Sequence, residues 1–389
     1  MKNLNRRKWI KSSLLGMGGL SLLTKGFADS METAALSKIS SQSRLVELNP
    51  GHFNKVPMRA RLLANENPFG PSEKAQKAIA AAVAEGNRYG HGDAAYLIDL
   101  IAEKEGVSKD CIMLGPGSTD LLEKTAIALC RKGGQVISAD PSYMSLVNTA
   151  QAVGATWQAV PLLEDHSHDL QGMKAAITSD TRLIYVCNPN NPMGSVTDAV
   201  ALRSFCKSAS QKSPVFVDEA YLEFMDNPME QSMVDLVAKG HDVIVARTFS
   251  KIHGMAGLRI GYMVATPERV ASVTQLVRST MGLCVTSLKG AIASYQDEAF
   301  VANCREWNRT SRAYTSEQLH ALGFQEIPSH TSFMIFPIQT AGKAFAQTMM
   351  DQGVGIRVYE IDDQDWCRVS MGTLKEMQYF IEALKTTQA

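Results

Sequence analysis

The 389-residue chain shows no surplus of charge: 39 lysines and arginines face 39 aspartates and glutamates. Gripping a polyanion takes a basic surplus on at least one face. No basic stripe appears beyond the N-terminus, so the sequence offers no support for nucleic-acid binding. The seven cysteines (Cys111, Cys130, Cys187, Cys206, Cys284, Cys304 and Cys367) are odd in number, and none forms a CxxC metal or redox pair. Several sit in apolar runs such as CIML and LIYVCN, where a thiol behaves as a small hydrophobe. There is no internal repeat, and no metal site is expected. The apolar run at the N-terminus, from Ser12 to Leu23, falls short of the roughly 20 residues a helix needs to cross a bilayer.

That short run has its own meaning. Lys2, Arg6, Arg7, Lys8 and Lys11 precede it and Gly26-Phe27-Ala28 follows it, the order of a secretory signal with a small-x-small cleavage site. The pair Arg6-Arg7 resembles a twin-arginine signal, which directs already folded proteins to export machinery. Residues 1–28 are therefore expected to be a signal and the mature protein periplasmic; an uncleaved signal would leave a membrane anchor instead. Cleavage after Ala28 would remove six basic and no acidic residues, leaving the mature chain mildly acidic.

Residues 29–75 read as a linker and N-terminal arm, polar and weakly patterned at first and then a Pro/Gly loop in which Ser72 caps the helix that follows. From Asp110 onward short, nearly continuous apolar strands alternate with helices: CIML, QVISA, LIYVC, PVFV, DVIVARTF and LRIGYMVA. Such strands are buried on both faces, which predicts an α/β fold with a mainly parallel sheet in a three-layer large domain, residues 76–298. The remainder, 299–389, mixes helices with short strands and is expected to be a smaller α+β domain.

In an open α/β sheet, ligands bind beyond the carboxyl ends of the strands. There CIML delivers Gly115 to Thr119, QVISA delivers Tyr143, LIYVC delivers Asn191, PVFV delivers Asp218 and Tyr221, and DVIVARTF delivers Thr248, Ser250 and Lys251, with Arg259 soon after. Burying an unpaired aspartate or lysine is costly, so such a rim calls for a ligand. The Gly117-Ser118-Thr119 loop opens a helix and suits a phosphate, although a glycine loop in that place is as often only a tight turn. Arg259, Thr248 and Ser250 add donors. Asp218 offers a fixed negative charge, Asn191 and Tyr221 hydrogen bonds, and Tyr143 a flat face. Lys251 is either a solvated surface charge or an amine made nucleophilic by a lowered pKa. One cofactor asks for all of these together: pyridoxal 5′-phosphate.

The segments NENPFGPS, GPGSTD, PSY, NPNNPMG, VDEAYLEF, RTFSKIHGMAGLRIGY and RVSMGT, in this order over residues 61–385, resemble fold-type I aminotransferases of class I/II, and most of all the histidinol-phosphate aminotransferase group. The resemblance implies a seven-stranded sheet, a homodimer, and transfer of an amino group from an amino acid or amine to a 2-oxo acid by ping-pong chemistry. It implies that Lys251 holds the cofactor and moves a proton between the substrate's Cα and the cofactor. Asp218 would face the ring nitrogen, Tyr221 and Asn191 the ring oxygen, and Tyr143 the ring face. Gly117, Ser118, Thr119, Thr248, Ser250 and Arg259 would bind the phosphate. Arg368, assisted by Asn65, would grip the substrate carboxylate. Tyr89 would reach the phosphate in the neighbouring subunit, and Arg357 is either a substrate-phosphate ligand or a structural arginine.

Two departures stand out. Tyr89-Gly90-His91 replaces the family's Tyr-Pro-Asp, and Met193 stands where threonine is usual. A related decarboxylase shares these motifs, and an exported binding protein without turnover is a further alternative, which the intact Lys251 argues against. A nucleotide-binding phosphate loop is not expected, because GPGSTD lacks the lysine of that motif.

Overall fold

The computed structural model describes residues 43–46, 57–277 and 282–387. The expected signal, residues 1–28, and most of the linker lie outside the described residues. Within the segment read as linker and arm, two short strands form: β1 (Ser43–Val46) and β2 (Ala60–Arg61). The central sheet is built from β3 (Ile112–Gly115), β4 (Gln135–Asp140), β5 (Thr156–Pro161), β6 (Thr181–Cys187), β7 (Val215–Asp218), β8 (Val243–Thr248) and β9 (Gly261–Val264). Their order is β3-β9-β8-β7-β6-β4-β5, and only β9 runs against its neighbours. This is the mainly parallel seven-stranded sheet expected from the sequence.

Each strand alternates its side chains between two apolar layers. Leu183, Tyr185 and Cys187 of β6, with Phe216 of β7, pack towards the helices Ser118–Cys130 and Ser145–Ala152. Ile184 and Val186, with Val215 and Val217, pack on the other face towards the helices His91–Glu105 and Ala199–Ala209. Ser72 does cap its helix: its Oγ accepts from Ala75 N at 3.2 Å.

A second sheet, of order β1-β12-β13-β10, is antiparallel and combines β10 (Phe333–Pro337), β12 (Arg357–Ile361) and β13 (Gln364–Ser370) with the arm strand β1. β11 (Val354–Gly355) pairs in parallel with β2. The arm thus joins the C-terminal sheets. Phe336, Phe345 and Phe380 are fully buried in the core beneath them, and each such side chain contributes about 1.5–3 kcal/mol. All seven cysteines are free, and only Cys284 is exposed. Among the described residues no helix is long and apolar enough to cross a membrane.

Candidate active site

β5 and β6 lie on opposite sides of β4, so the chain reverses its direction of progress across the sheet there. A crevice opens at such a switch point, outside the carboxyl ends of the strands. It is a cavity of about 320 Å³ lined by residues from five strand ends, the arm and the C-terminal sheet. Thirteen of the fifteen residues singled out from the sequence line it: Asn65, Ser118, Thr119, Tyr143, Asn191, Asp218, Tyr221, Thr248, Ser250, Lys251, Arg259, Arg357 and Arg368.

Gly117 lies directly behind the cavity, at φ +93° before the helix that starts at Ser118. The Arg259 guanidinium fills the place a β-carbon would take, so both the conformation and the close approach require glycine. Tyr89 is the exception: it is 77% exposed, stacks only near His91, and does not line the cavity of its own chain.

One end of the cavity is built for an anion. The first residues of the helix Ser118–Cys130 present their N–H groups there. Arg259 donates to Ser250 Oγ at 3.3 Å and to the Ala256 carbonyl at 2.9 Å. Thr119 Oγ1 and the Tyr143 hydroxyl lie 3.3 Å apart, which sets the Tyr143 ring along one wall.

Asp218, at the end of β7, is buried. Its Oδ1 accepts from Ala220 N at 3.1 Å and its Oδ2 from the Tyr185 hydroxyl at 3.2 Å. Burial pushes its carboxyl up to about 6, and those two hydrogen bonds and the Lys251 charge oppose the shift. Lys251 is lowered to about 8, first by burial and then by Arg368, with Glu66 and Asp218 opposing. Its ammonium donates to the Ala64 carbonyl at 3.3 Å. A lysine in this state is a large step closer to a free amine than a surface lysine is.

The Tyr221 hydroxyl accepts from Asn65 Nδ2 at 2.9 Å and from Asn191 Nδ2 at 3.4 Å, which leaves its own proton free to donate into the cavity. Arg368 also lines the cavity, near the rings of Phe333 and Tyr359 at 5.2 and 5.3 Å. It donates to Asn191 Oδ1 at 2.6 Å and to the Leu63 carbonyl at 3.2 Å, and its buried Nε has no partner. Arg357 stands directly opposite Arg368 across the β12–β13 pair. Like charges facing one another in this way repel, so the pair favours an anion between or beside them.

Residues 64–70 run along the rim and hold its parts together. Asn65 N donates to Ser370 Oγ at 2.8 Å, and Asn67 Nδ2 to the Ile252 carbonyl at 2.7 Å. Gly254, at φ +69°, lies so close to the Gly70 carbonyl that a β-carbon would not fit. Sequence reading did not single out Glu66, Tyr359 or Cys187 of the lining, nor Tyr185 beneath it. Tyr359 was within reach, since it shares a strand face with Arg357 two residues earlier. Met193, the second departure from the family pattern, is buried against Ile327 and Ile335 and does not touch the cavity. No cluster of possible metal ligands occurs among the described residues.

A sheet of this order with its crevice at the switch point defines a fold-type I transferase. The family model for aminotransferases of class I and II matches residues 60–384, and the chain belongs to that family. It is 35% identical over 327 residues to a histidinol-phosphate aminotransferase of Moorella thermoacetica, covering 84% of each chain. It is 36% identical over 348 residues to one of Akkermansia muciniphila, covering 89% of this chain and 93% of that one. The solved histidinol-phosphate aminotransferase of Sinorhizobium meliloti, in complex with pyridoxal 5′-phosphate, superposes with a TM-score of 0.81 at 25% identity over 88% of this chain and 96% of that chain. This chain is a transaminase that works with pyridoxal 5′-phosphate.

Proposed function

We propose that the cavity binds pyridoxal 5′-phosphate through Lys251 and passes an amino group from an amino acid or amine to a 2-oxo acid. The observation that carries this is the meeting of Lys251, Asp218, Tyr221 and Arg368 in one cavity that the start of the helix Ser118–Cys130 also lines. The residues fit the cofactor. Gly117, Ser118, Thr119, Thr248, Ser250 and Arg259 hold the phosphate. Asp218 faces the ring nitrogen, Tyr221 with Asn191 donates to the ring oxygen, and Tyr143 covers one ring face. When bound, the cofactor supplies an electron sink for the bond pair released at the substrate's Cα. Lys251, with its lowered pKa, holds or moves the proton at Cα. Arg368, held by Asn191 Oδ1 and the Leu63 carbonyl, takes the substrate carboxylate in two-point fashion and fixes how Cα meets the ring, with Asn65 lining the same cavity. Arg357, beside it, accommodates a second anionic group such as a phosphate; the relatives named for histidinol phosphate support that use.

The same reading extends to assembly and location. The chain forms a homodimer in which Tyr89, exposed here and remote from its own cavity, reaches the phosphate site of the second copy. The N-terminal Arg6-Arg7 and the apolar run after it engage the twin-arginine machinery and take the folded protein to the periplasm. Replacing both arginines by lysine should leave the protein in the cytoplasmic fraction; unchanged export would reject this route.

The decisive experiment uses the purified protein reconstituted with pyridoxal 5′-phosphate. Borohydride reduction and peptide mass analysis should find the adduct on Lys251, and paired amino and oxo acids, with histidinol phosphate among the donors, should change the cofactor's absorbance. An adduct on another lysine, or no spectral change with any donor, would overturn the assignment.

A further inference from the structure

Tyr185 lies in the middle of β6, is fully buried, and does not line the cavity. A buried phenol needs a hydrogen-bond partner, because stranding its hydroxyl away from water is costly. The partner here is the acid of the site: the hydroxyl donates to Asp218 Oδ2 at 3.2 Å. Strand parity and register make this possible. Tyr185 stands opposite Phe216 and Cys187 opposite Asp218, so the side chains of Tyr185 and Asp218 leave the same face, one step apart along neighbouring strands. The phenol therefore reaches the carboxylate from beneath, out of contact with anything bound above.

Asp218 is surrounded as follows. Ala220 N and Tyr185 hold its two oxygens. Lys251 faces it from the turn after β8, Tyr143 from the loop after β4, Cys187 from β6 and Tyr221 from the turn after β7. Burial drives the carboxyl towards its neutral form, and of the groups that hold it ionised only Ala220 N and Tyr185 bond to it directly. The backbone donor is fixed by the turn. The phenol is the donor that a change of side chain adds or removes.

We propose that Tyr185 is a positioning residue for the cofactor: its hydroxyl pins Asp218 Oδ2 and keeps that carboxylate ionised at neutral pH, ready to hold a protonated ring nitrogen. The inference rests on the assignment of Asp218 to the ring nitrogen made above. A neutral Asp218 offers no counter-charge to that nitrogen, so loss of the phenol acts on the cofactor without any contact being lost. The ring itself packs among apolar neighbours, with Phe216 at 6.1 Å, and Tyr185→Phe removes one oxygen and no packing.

The test measures the dissociation constant of pyridoxal 5′-phosphate, from acid to alkaline pH, for the wild type, Tyr185→Phe, Asp218→Asn and the double variant, with thermal unfolding of each apo-protein as a check on folding. One hydrogen bond to an ionised group predicts that Tyr185→Phe moves the midpoint of the acid loss of binding up by about one unit, so that affinity falls about twofold at neutral pH and about tenfold in acid. In the Asp218→Asn background the same change should have no further effect, because the phenol acts through the carboxylate. A Tyr185→Phe protein with unaltered affinity and pH profile, or an equal loss in both backgrounds, overturns the inference. If Asp218→Asn itself binds the cofactor as the wild type does, the assignment of Asp218 fails, and this inference with it.

Discussion

Asp218 and Thr248 differ from Glu219 and Arg247 by one position along the chain and by a whole face of the sheet. On the face of Glu219, charge closes upon itself. Arg247 is 5% exposed and pairs with Glu105 at 3.2 Å and Glu219 at 3.0 Å. Ser232 and Met233 N donate to Glu219 at 2.9 and 2.7 Å, and the Tyr262 hydroxyl donates to Glu105 at 2.7 Å. On the face of Asp218 the charges open into a cavity. Arg368 is held by Asn191 Oδ1 and the Leu63 carbonyl instead of a carboxylate, burial raises Asp218, and burial lowers Lys251. The low-dielectric setting is the same. A buried charge with its partner inside the chain is structural; a buried charge whose partner is missing marks where a ligand must supply it.

Three substitutions sharpen that contrast. Arg247→Met should be the most damaging to the fold, because it strands two buried carboxylates; chemical denaturation should show a loss of about 3–5 kcal/mol. Arg368→Lys keeps the charge but loses the planar fork, and steady-state kinetics with a carboxylate substrate should show kcat/KM down about a hundredfold with the melting temperature little changed. Asp218→Asn should do the opposite of Arg247→Met. The carboxyl of Asp218 is raised from 3.8 to about 6, so its contribution to stability is fully present below pH 3.8 and is lost as pH rises through about 6. Asparagine resembles the protonated acid at every pH. The apo variant should therefore be more stable than the wild type above neutrality, by on the order of 2 kcal/mol, with the gain vanishing in acid. Equal stability of the two at alkaline pH would show that Asp218 carries no burial cost.

Much of this was legible in the sequence because strand ends are local signals. Each apolar run stops where a polar residue or a Gly/Pro turn begins, and a parallel sheet gathers those stops on one edge. Asp218, Asn191, Tyr221 and Lys251 could be read in that way. Partnerships between distant segments could not. Glu105, Glu219 and Arg247 look like scattered charges until the sheet and the helix His91–Glu105 bring them together. Tyr185 looks like one more strand hydrophobe, since only the register of β6 on β7 reveals its carboxylate. The strands at 43–46 and 60–61 are short and weakly patterned, and exist because β12 and β11 offer them an edge. The Met193 replacement drew notice by its place in a motif, yet its side chain belongs to the apolar seam with Ile327 and Ile335.

Residues 61–70 contribute little chemistry of their own, yet several parts of the site are fastened through them. Leu62 is tied to Gly355 and Ser370, Asn65 to Tyr221 and Ser370, Asn67 to Ile252, and Gly70 lies against Gly254. A protease nick anywhere in this stretch would leave the acid, the amine and the arginines in the chain while cutting the common tether that keeps them in register. Activity would then be lost by coming undone at the hem, with every working residue still intact.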